Sequence, residues 1–237
     1  MSVQETRRAR AGKGLLYAAA ALLTAVPAFG EQKYVTRFDV FAGYAYLNSP
    51  AIGLPEHGFQ LQAGVRPKKW FSVGFDYCNV RGDLTLTPNL LPTALQQQLG
   101  AVLAAIAPPG YQLVVPAHSV SQTFSLGPQL AYRHFKTVTL FVRPSMGAIR
   151  EVATPSPTDP IASAIAKQLV PSGRKQDWTG FYGFGGGFDL NFSKHVSFRV
   201  QADYVYDHLF NDILRDGRRT VRFGVGPCFN FGKNIAE

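Results

Sequence analysis

Charged side chains recur singly within short apolar segments of the sequence, and their spacing indicates that they share one environment. In these segments polar or small residues alternate with Val, Leu, Phe or Tyr, which is the period of a β-strand with two different faces. The residues concerned are Arg37, Asp39, Arg66, Asp76, Arg133, Arg143, Asp189, Arg199, Asp203 and Arg222. Such a set can pair into a salt-bridged core or line an anion-selective pore.

Other reactive residue types are few and scattered. His195-Val196-Ser197 has a base and a nucleophile at a spacing that some hydrolases use, whereas His118-Ser119 has a different spacing. A catalytic triad is defined by geometry rather than by such a match, and His195 falls in a short turn. The five histidines and the two cysteines match no metal-ligand spacing. We therefore expect no catalytic residues, no metal and no cofactor, and two free thiols.

The alternation itself predicts the fold. Eight segments carry it, and they lie near residues 37–46, 59–66, 71–78, 120–133, 138–147, 182–191, 196–206 and 221–231. An arginine or lysine on the lipid face of a membrane barrel costs about 2–4 kcal/mol near the midplane. We therefore expect an all-β, eight-stranded antiparallel up-and-down transmembrane β-barrel with its charges inside. Pro128, Pro144 and Pro227 fall within strands and predict bulges or unpaired positions.

The connections between these segments alternate in length. Short turns are expected at Pro67–Lys69, His134–Thr137 and Ser193–His195, and long loops near 47–57, 83–117, 150–178 and 207–217. Membrane barrels have short periplasmic turns and long extracellular loops, so both ends of the mature chain should be periplasmic. Leu91–Ala107 and Ile161–Val170 are apolar and flanked by prolines, which predicts two short loop helices. These helices could cap the barrel mouth, lie on the outer surface, or form a gate or docking patch for an apolar ligand.

The N-terminus has the pattern of an export signal. Arg7, Arg8, Arg10 and Lys13 precede an apolar segment at Leu15–Val26, and Ala28-Phe29-Gly30 offers small residues for cleavage. The sequence thus predicts a signal peptide at 1–30 and a barrel at 31–237. The net charge is +9, but four of the arginines and lysines lie in this predicted signal peptide and others recur singly within apolar strands. Nucleic-acid binding is therefore not expected.

Several stretches are similar to a known family. FDVFAGYAYL at Phe38–Leu47 resembles the opening strand of the outer-membrane protein A-like eight-stranded barrels. GGGFDLNFSKHVSFRVQADYVY at Gly185–Tyr206 and the Gly-Pro pair in Ser125–Pro128 resemble strands of small outer-membrane β-barrel domain proteins. The resemblance implies the barrel fold and an outer-membrane location, and it supplies no catalytic residues. One departure is that Gly232–Glu237 follow the aromatic Phe231, whereas barrels of this family commonly end on an aromatic residue.

Together these observations predict a non-enzymatic outer-membrane barrel with an envelope-structural or surface-interaction role. One alternative is a small pore or transporter for small molecules, including apolar ones. A second alternative is a lipid A-modifying hydrolase that uses a His-x-Ser pair. The expected partners are outer-membrane lipid and lipopolysaccharide, the barrel assembly machinery, and a surface ligand bound through loops 83–117 and 150–178.

Overall fold

The computed structural model describes residues 30–214 and 218–236, and the structural statements below refer to these residues. The predicted signal peptide lies almost wholly outside this range and stays a prediction. The eight strands are β1 Thr36–Ser49, β2 Leu54–Lys68, β3 Phe71–Leu86, β4 Val115–Tyr132, β5 Val138–Pro155, β6 Lys175–Asn191, β7 Val196–Asp207 and β8 Arg218–Asn234. The two α-helices are α1 Thr93–Ile106 and α2 Pro160–Leu169, and 3₁₀ turns lie at Pro50–Ile52 and Pro88–Leu90.

Each strand pairs with the next in an antiparallel ladder, and β8 pairs with β1 to close the barrel. Phe38 of β1, for example, lies opposite Val65 of β2 and Phe231 of β8. The predicted fold class is therefore confirmed. One mouth of the barrel carries the short connections and both chain ends, and we call it the turn end. The opposite mouth, which we call the loop end, carries the long connections from β3 to β4, from β5 to β6 and from β7 to β8. The β1–β2 connection also lies there, but it is only residues 50–53. The expectation of a long loop near 47–57 is therefore wrong, because β1 and β2 extend into that range.

The two faces of the barrel differ as the alternation predicted. Large apolar side chains point outward, and Met146 and Tyr182 are 71% and 64% exposed. Exposed aromatic residues lie towards the two ends of the strands, including Tyr44, Trp178 and Tyr204 on the loop side, and Trp70, Tyr132 and Phe192 on the turn side. Soluble monomers rarely expose so much contiguous apolar surface. An apolar band between aromatic girdles is instead the outer surface of a membrane barrel.

The strands extend further at the loop end than the sequence pattern indicated. Leu86 still pairs with Val115, and Ala153 still pairs with Lys175. Parts of the predicted loops 83–117 and 150–178 are therefore strand, and the connections proper are 87–114 and 156–174. The physical reason is that a strand leaving the bilayer no longer needs an apolar outer face, so its hydropathy alternation weakens before its pairing ends.

The three prolines that the sequence analysis placed within strands, Pro128, Pro144 and Pro227, occur where a ladder is interrupted. The β4–β5 pairing skips from Leu126 to Leu130, and Pro128 and Pro144 lie in the middle of this gap. The β1–β8 pairing similarly skips Gly226 and Pro227. Proline has no N–H to donate to a ladder, so the prediction of unpaired positions is confirmed. Each proline still aligns with its other neighbouring strand, which keeps the barrel closed.

Both predicted loop helices are confirmed, and they form a small folded unit at the loop end. Leu99 of α1 and Ile165 of α2 belong to one buried apolar cluster with Leu91, Leu113 and Val115. A second apolar cluster, which includes Leu54, Ile149 and Leu209, fills the barrel mouth beneath them. We call this assembly the loop cap. Within the described residues, no helix is long and apolar enough to span a membrane.

Candidate functional site

Four of the predicted charges form a closed ring within the lumen. Arg222 contacts both Asp76 and Asp203, with N···O distances of 3.2 and 2.9 Å. Arg143 contacts the same two aspartates at 3.1 and 2.9 Å. β3, β5, β7 and β8 each supply one member, so the ring crosses the barrel. We call this group the upper tier, because it lies nearer the loop end.

Four more of the predicted charges form a chain nearer the turn end, which we call the lower tier. Arg199 donates two hydrogen bonds to Asp189, of 2.7 and 3.0 Å, and forms an ion pair with Asp39 at 3.3 Å. Arg66 approaches the other oxygen of Asp39 at 3.3 Å. The guanidinium of Arg199 also lies over the buried ring of Phe141, 4.9 Å from its centroid. Hydrogen bonds and ring contacts thus fix this arginine on several sides.

Glutamine side chains connect the two tiers. Gln62 accepts from Arg199 at 2.9 Å and donates to Asp76 at 2.7 Å. Gln60 donates to Asp76 at 2.6 Å and accepts from Gln201 at 2.9 Å. The network therefore runs as one unit across the barrel, and its four arginines balance its four aspartates in charge.

The network fills the middle of the lumen. Its eight charged side chains are buried, since the most exposed residue among them, Arg143, is 7% exposed. A cavity between the tiers, bounded by Gln62, Gln129 and Arg143, has a volume of about 20 Å³. A space of that size holds about one water molecule. Side chains are expected to fill an eight-stranded barrel, and here polar ones do so.

The remaining two predicted members of the charge cluster lie elsewhere. Arg37 was expected to point inward, and this expectation is wrong, because its side chain is exposed. The β1–β8 register shifts between Thr36 and Phe38, and this irregularity turns Arg37 out of the inward column. Arg133 lies at the turn end and makes none of the ion pairs found among the described residues.

A third polar group, at the loop end of the lumen, was not identified from the sequence. Ser119 donates to Glu56 at 3.1 Å and to Glu151 at 2.8 Å, and Ser121 donates to Glu56 at 2.8 Å. Asp207, the last residue of β7, is also fully buried at the loop end. The signal for these residues was present, because Glu56 keeps the alternation phase of Gln60 and Gln62. Glu56, Ser119 and Glu151 were overlooked because the predicted strands stopped short of the loop end, whereas Ser121 lay within the predicted segment 120–133.

The His-Ser pairs considered from the sequence are not catalytic pairs in this fold. The ring Nδ1 of His195 lies 3.0 Å from the carbonyl oxygen of Asn230, while Ser197 is buried and hydrogen-bonds to Asn230 and Cys228. His118 is exposed and contacts Asp83 at 2.9 Å, whereas Ser119 points into the lumen. In each pair the histidine and the serine therefore face different surroundings.

Cysteine and metal chemistry receive no support from the described residues. Cys78 and Cys228 are both buried free thiols on the inner face of the barrel. No group of three or more His, Cys, Asp or Glu in the described part of the chain could hold a metal ion.

The loop cap is held together by a polar contact between its two connections. The hydroxyl of Tyr111 donates to both carboxylate oxygens of Asp159, at 2.9 and 3.0 Å. Asp159 also caps α2 by accepting from the backbone N–H of Ala162 at 2.8 Å. That N–H, followed by the Tyr111 hydroxyl, lowers the pKa of the Asp159 carboxyl below its ordinary value. The ionised carboxylate is therefore the form that joins the two connections.

Two small apolar cavities lie inside the loop cap. Each has a volume of about 50 Å³. Leu86, Pro155, Val170 and Ile213 contribute to the walls of both, so the cavities are neighbours. One of them reaches Glu151 at the top of the lumen. The cap therefore contains apolar space directly above the polar interior of the barrel.

Among the comparisons with known proteins, the similarity to Neisserial surface protein A supports the fold. No family model and no curated protein matches the sequence. Among solved structures, Neisserial surface protein A is 11% identical, with a TM-score of 0.50, and the match covers 82% of this chain and 96% of that one. Ail, the attachment invasion locus protein of Yersinia pestis, crystallised with the heparin analogue sucrose octasulfate, is 14% identical, with a TM-score of 0.46 and coverages of 83% and 99%.

The outer membrane protein OprG of Pseudomonas aeruginosa is 9% identical, with a TM-score of 0.45, and the match covers 86% of this chain and all of that one. At 11% identity, the similarity to Neisserial surface protein A speaks for the fold alone. The closed ring of eight antiparallel strands, the apolar outer band and the similarity to Neisserial surface protein A lead to one conclusion. The chain has the fold of the small eight-stranded outer-membrane β-barrels.

Proposed function

We propose that this protein is a non-enzymatic barrel of the outer membrane that contributes to envelope structure or presents its loop cap to a partner at the cell surface. The loop end would face the outside, and the turn end, with both chain ends, would face the periplasm. The outward apolar band would contact outer-membrane lipid, with lipopolysaccharide around the loop end. The barrel assembly machinery would insert the chain.

The observation that carries this proposal is the continuous charged network across the lumen. A conducting pore needs a hydrated path, and wide aqueous channels are built from about 16 strands rather than eight. Here Arg143 and Arg222 are held between the same two aspartates. Arginines so engaged are not available to attract a passing anion. The lumen thus serves the stability of the barrel, and the exposed loop cap remains as the surface for function.

The outer surface of the cap suits contact with a partner. Helix α1, with the sequence TALQQQLGAVLAAI, contains no charged residue. Its Val102 and Ile106 are 36% and 52% exposed, although its Leu99 is buried in the cap. Exposed apolar surface on a folded unit often marks an interaction site. The connections 87–114 and 156–174 are the segments through which we expect a surface ligand to bind.

Single-channel recording in a planar bilayer tests the closed lumen. The full chain is expressed and the processed protein is purified from membranes and recorded at several salt concentrations. We expect no steady conductance from the wild-type protein and openings after Arg222→Ala, which removes one side of the upper tier. Arg219→Ala is the matched control, since Arg219 is an exposed arginine on the same strand. Steady anion-selective openings of the wild type, lost on replacement of Arg143 or Arg199, would show a small pore instead.

A second candidate function is the binding or uptake of small apolar molecules through the cap. It is favoured by the two neighbouring apolar cavities, which share the walls formed by Leu86, Pro155 and Val170. Leu86→Phe, which narrows both spaces, should weaken the binding of xenon, an apolar probe small enough for cavities of about 50 Å³, followed by xenon NMR. Val102→Phe, on the exposed surface of α1, is the control. Equal xenon signals for the wild type and Leu86→Phe would remove this candidate.

A further inference from the structure

A cationic cavity opens at the turn end of the barrel, opposite the loop cap. Its volume is about 350 Å³, and it is formed by the N-terminal segment around Gln32–Thr36 together with the β4–β5 and β6–β7 turns. Lys33, Arg133, Lys136 and Lys194 line it. A second open space, lined by Gln32, Lys33 and Lys136, adjoins it. We call the 350 Å³ cavity the turn-end vestibule.

The vestibule has more positive charge than its own residues balance. Among the described residues, Asp189 is the one carboxylate that lines the vestibule, and it already accepts two hydrogen bonds from Arg199. Arg66 also lines the vestibule, but it is paired with Asp39. Glu31, on the neighbouring surface, is engaged by Lys69. None of these three carboxylates forms an ion pair with Arg133, Lys33, Lys136 or Lys194, so these four residues supply the excess positive charge of the vestibule.

Arg133 is the positioned member of this group. Its Nε donates to the carbonyl oxygen of Lys69 at 2.9 Å, and its Nη1 donates to Gln32 Oε1 and Thr139 Oγ1, each at 3.1 Å. Gln32 is fixed in turn, because its amide donates to the carbonyl oxygen of Phe135 at 3.0 Å. These acceptors are all neutral, so they orient the guanidinium without neutralising it. Nη2 makes none of the hydrogen bonds found among the described residues.

A lysine is also held at the rim of the vestibule. The ammonium of Lys194 lies 5.1 Å from the ring centroid of Tyr34, which is a cation–π contact. Such a contact restrains the side chain without cancelling its charge. The vestibule thus combines a preoriented guanidinium, a restrained ammonium and two exposed lysines around one cavity.

We propose that the turn-end vestibule binds a phosphate-bearing ligand, with Arg133 as its anchor. The contacts of Nε and Nη1 orient the guanidinium and leave Nη2 to donate a charge-assisted hydrogen bond to a phosphate oxygen. The three lysines supply further positive charge around the same cavity. The charge count favours phosphate over a single carboxylate, because a phosphate monoester carries about −1.5 to −2 near neutral pH. The phosphate could belong to a soluble compound or to a lipid headgroup, since the vestibule opens beside the aromatic girdle that includes Phe192.

Calorimetric titration with pyrophosphate tests the proposal. The full chain is expressed, and the processed protein is purified from membranes and placed in phosphatidylcholine nanodiscs, with chloride as the background anion. We expect saturable binding that Arg133→Gln weakens about tenfold, which is the loss of one charge-assisted contact of about 1.4 kcal/mol. Lys136→Gln, at an exposed position, should weaken binding by a smaller factor and carries the test if Arg133→Gln does not fold.

Arg37→Gln is the matched control, because Arg37 is exposed near the same end and does not line the vestibule. A second arm uses nanodiscs that contain phosphatidic acid. Pyrophosphate binding unaffected by this lipid would indicate a soluble ligand. Loss of pyrophosphate binding, with phosphatidic acid retained by the wild type and released by Arg133→Gln, would indicate a headgroup. The proposal fails if neither phosphate source binds, or if Arg37→Gln weakens binding as much as Arg133→Gln does.

Discussion

The lumen and the loop cap are two interiors built by opposite rules within one chain. In the middle of the lumen most of the large buried side chains are arginines, aspartates and glutamines. Phe41 and Phe141 pack against Arg199, and most other large apolar residues of the strands lie on the outside. In the cap, Leu99, Leu113 and Ile165 are buried in the ordinary manner of a water-soluble protein. The difference follows from the surroundings of each region. Lipid requires an apolar outer face and leaves the inner face for polar groups, whereas water requires the reverse.

The two interiors should also respond differently to damage. Buried charges are stable only as a complete set, because removing one partner leaves another charge without compensation. Apolar packing is more tolerant, since each truncation costs roughly the lost contacts and the cavity it leaves. The lumen should therefore fail as a network, and the cap should loosen locally.

Arg222→Met should give the largest loss of stability. It leaves Asp76 and Asp203 with Arg143 as their shared cation, and breaking a buried pair in this way costs about 3–5 kcal/mol. The measurement is the free energy of unfolding in guanidinium, followed by tryptophan fluorescence of the protein in detergent. Arg219→Met is the matched control and should change it by less than about 0.5 kcal/mol. If both variants lower the free energy of unfolding equally, the ion pairs of the upper tier contribute no more to stability than an exposed arginine does.

Ile165→Ala should give a more local loss of stability, confined to the loop cap. Ile165 is 1% exposed within the cap cluster, and truncation of a buried isoleucine costs about 2–5 kcal/mol. Because the barrel strands keep their own ladders, we expect faster proteolysis within 87–114 and 156–174 while the barrel still migrates as a folded species on unheated gels. Ile106→Ala, the same change at a half-exposed position of α1, is the control. Unfolding of the whole barrel by Ile165→Ala would mean that cap and lumen are one cooperative unit.

Much of the lumen could be predicted from the sequence, because the barrel imposes a strict period of two. Asp76, Arg143, Asp203 and Arg222 were all expected to point inward, and the structure brings them within 3.2 Å contacts of one another. The sequence could not give the partners, because pairing across the lumen depends on strand register and shear. It also gave the wrong face for Arg37, since a local irregularity in the ladder leaves no trace in the hydropathy pattern.

The loop cap and the turn-end vestibule were harder to predict. The apolar character of α1 and α2 indicated helices, but nothing in the sequence relates Tyr111 to Asp159, which are 48 residues apart. Arg133 was grouped with the lumen charges because it continues the alternation of β4. Its separate position depends on where β4 ends, and the ends of elements are the least certain feature of a sequence pattern.

Loss of the hydrogen bonds between Tyr111 and Asp159 should have the smallest effect on stability. It also tests most directly whether the loop cap unfolds independently of the lumen. The pKa of Asp159 is lowered in the folded cap by the N–H of Ala162 and by the Tyr111 hydroxyl. A lowered pKa means that the contribution of the carboxylate is complete above its ordinary value of 3.8 and is lost as the pH falls through the lower, folded value. NMR can follow the amide of Ala162 during an acid titration. In the wild type we expect the chemical shift of the Ala162 amide to change with a midpoint below pH 3.8. Asp159→Asn should show no such transition. Arg222→Met, whose change lies in the lumen, should keep a midpoint similar to that of the wild type. A midpoint that moved with the lumen variant would mean that the two interiors communicate, and the contrast between them would then be one of composition rather than of independent stability.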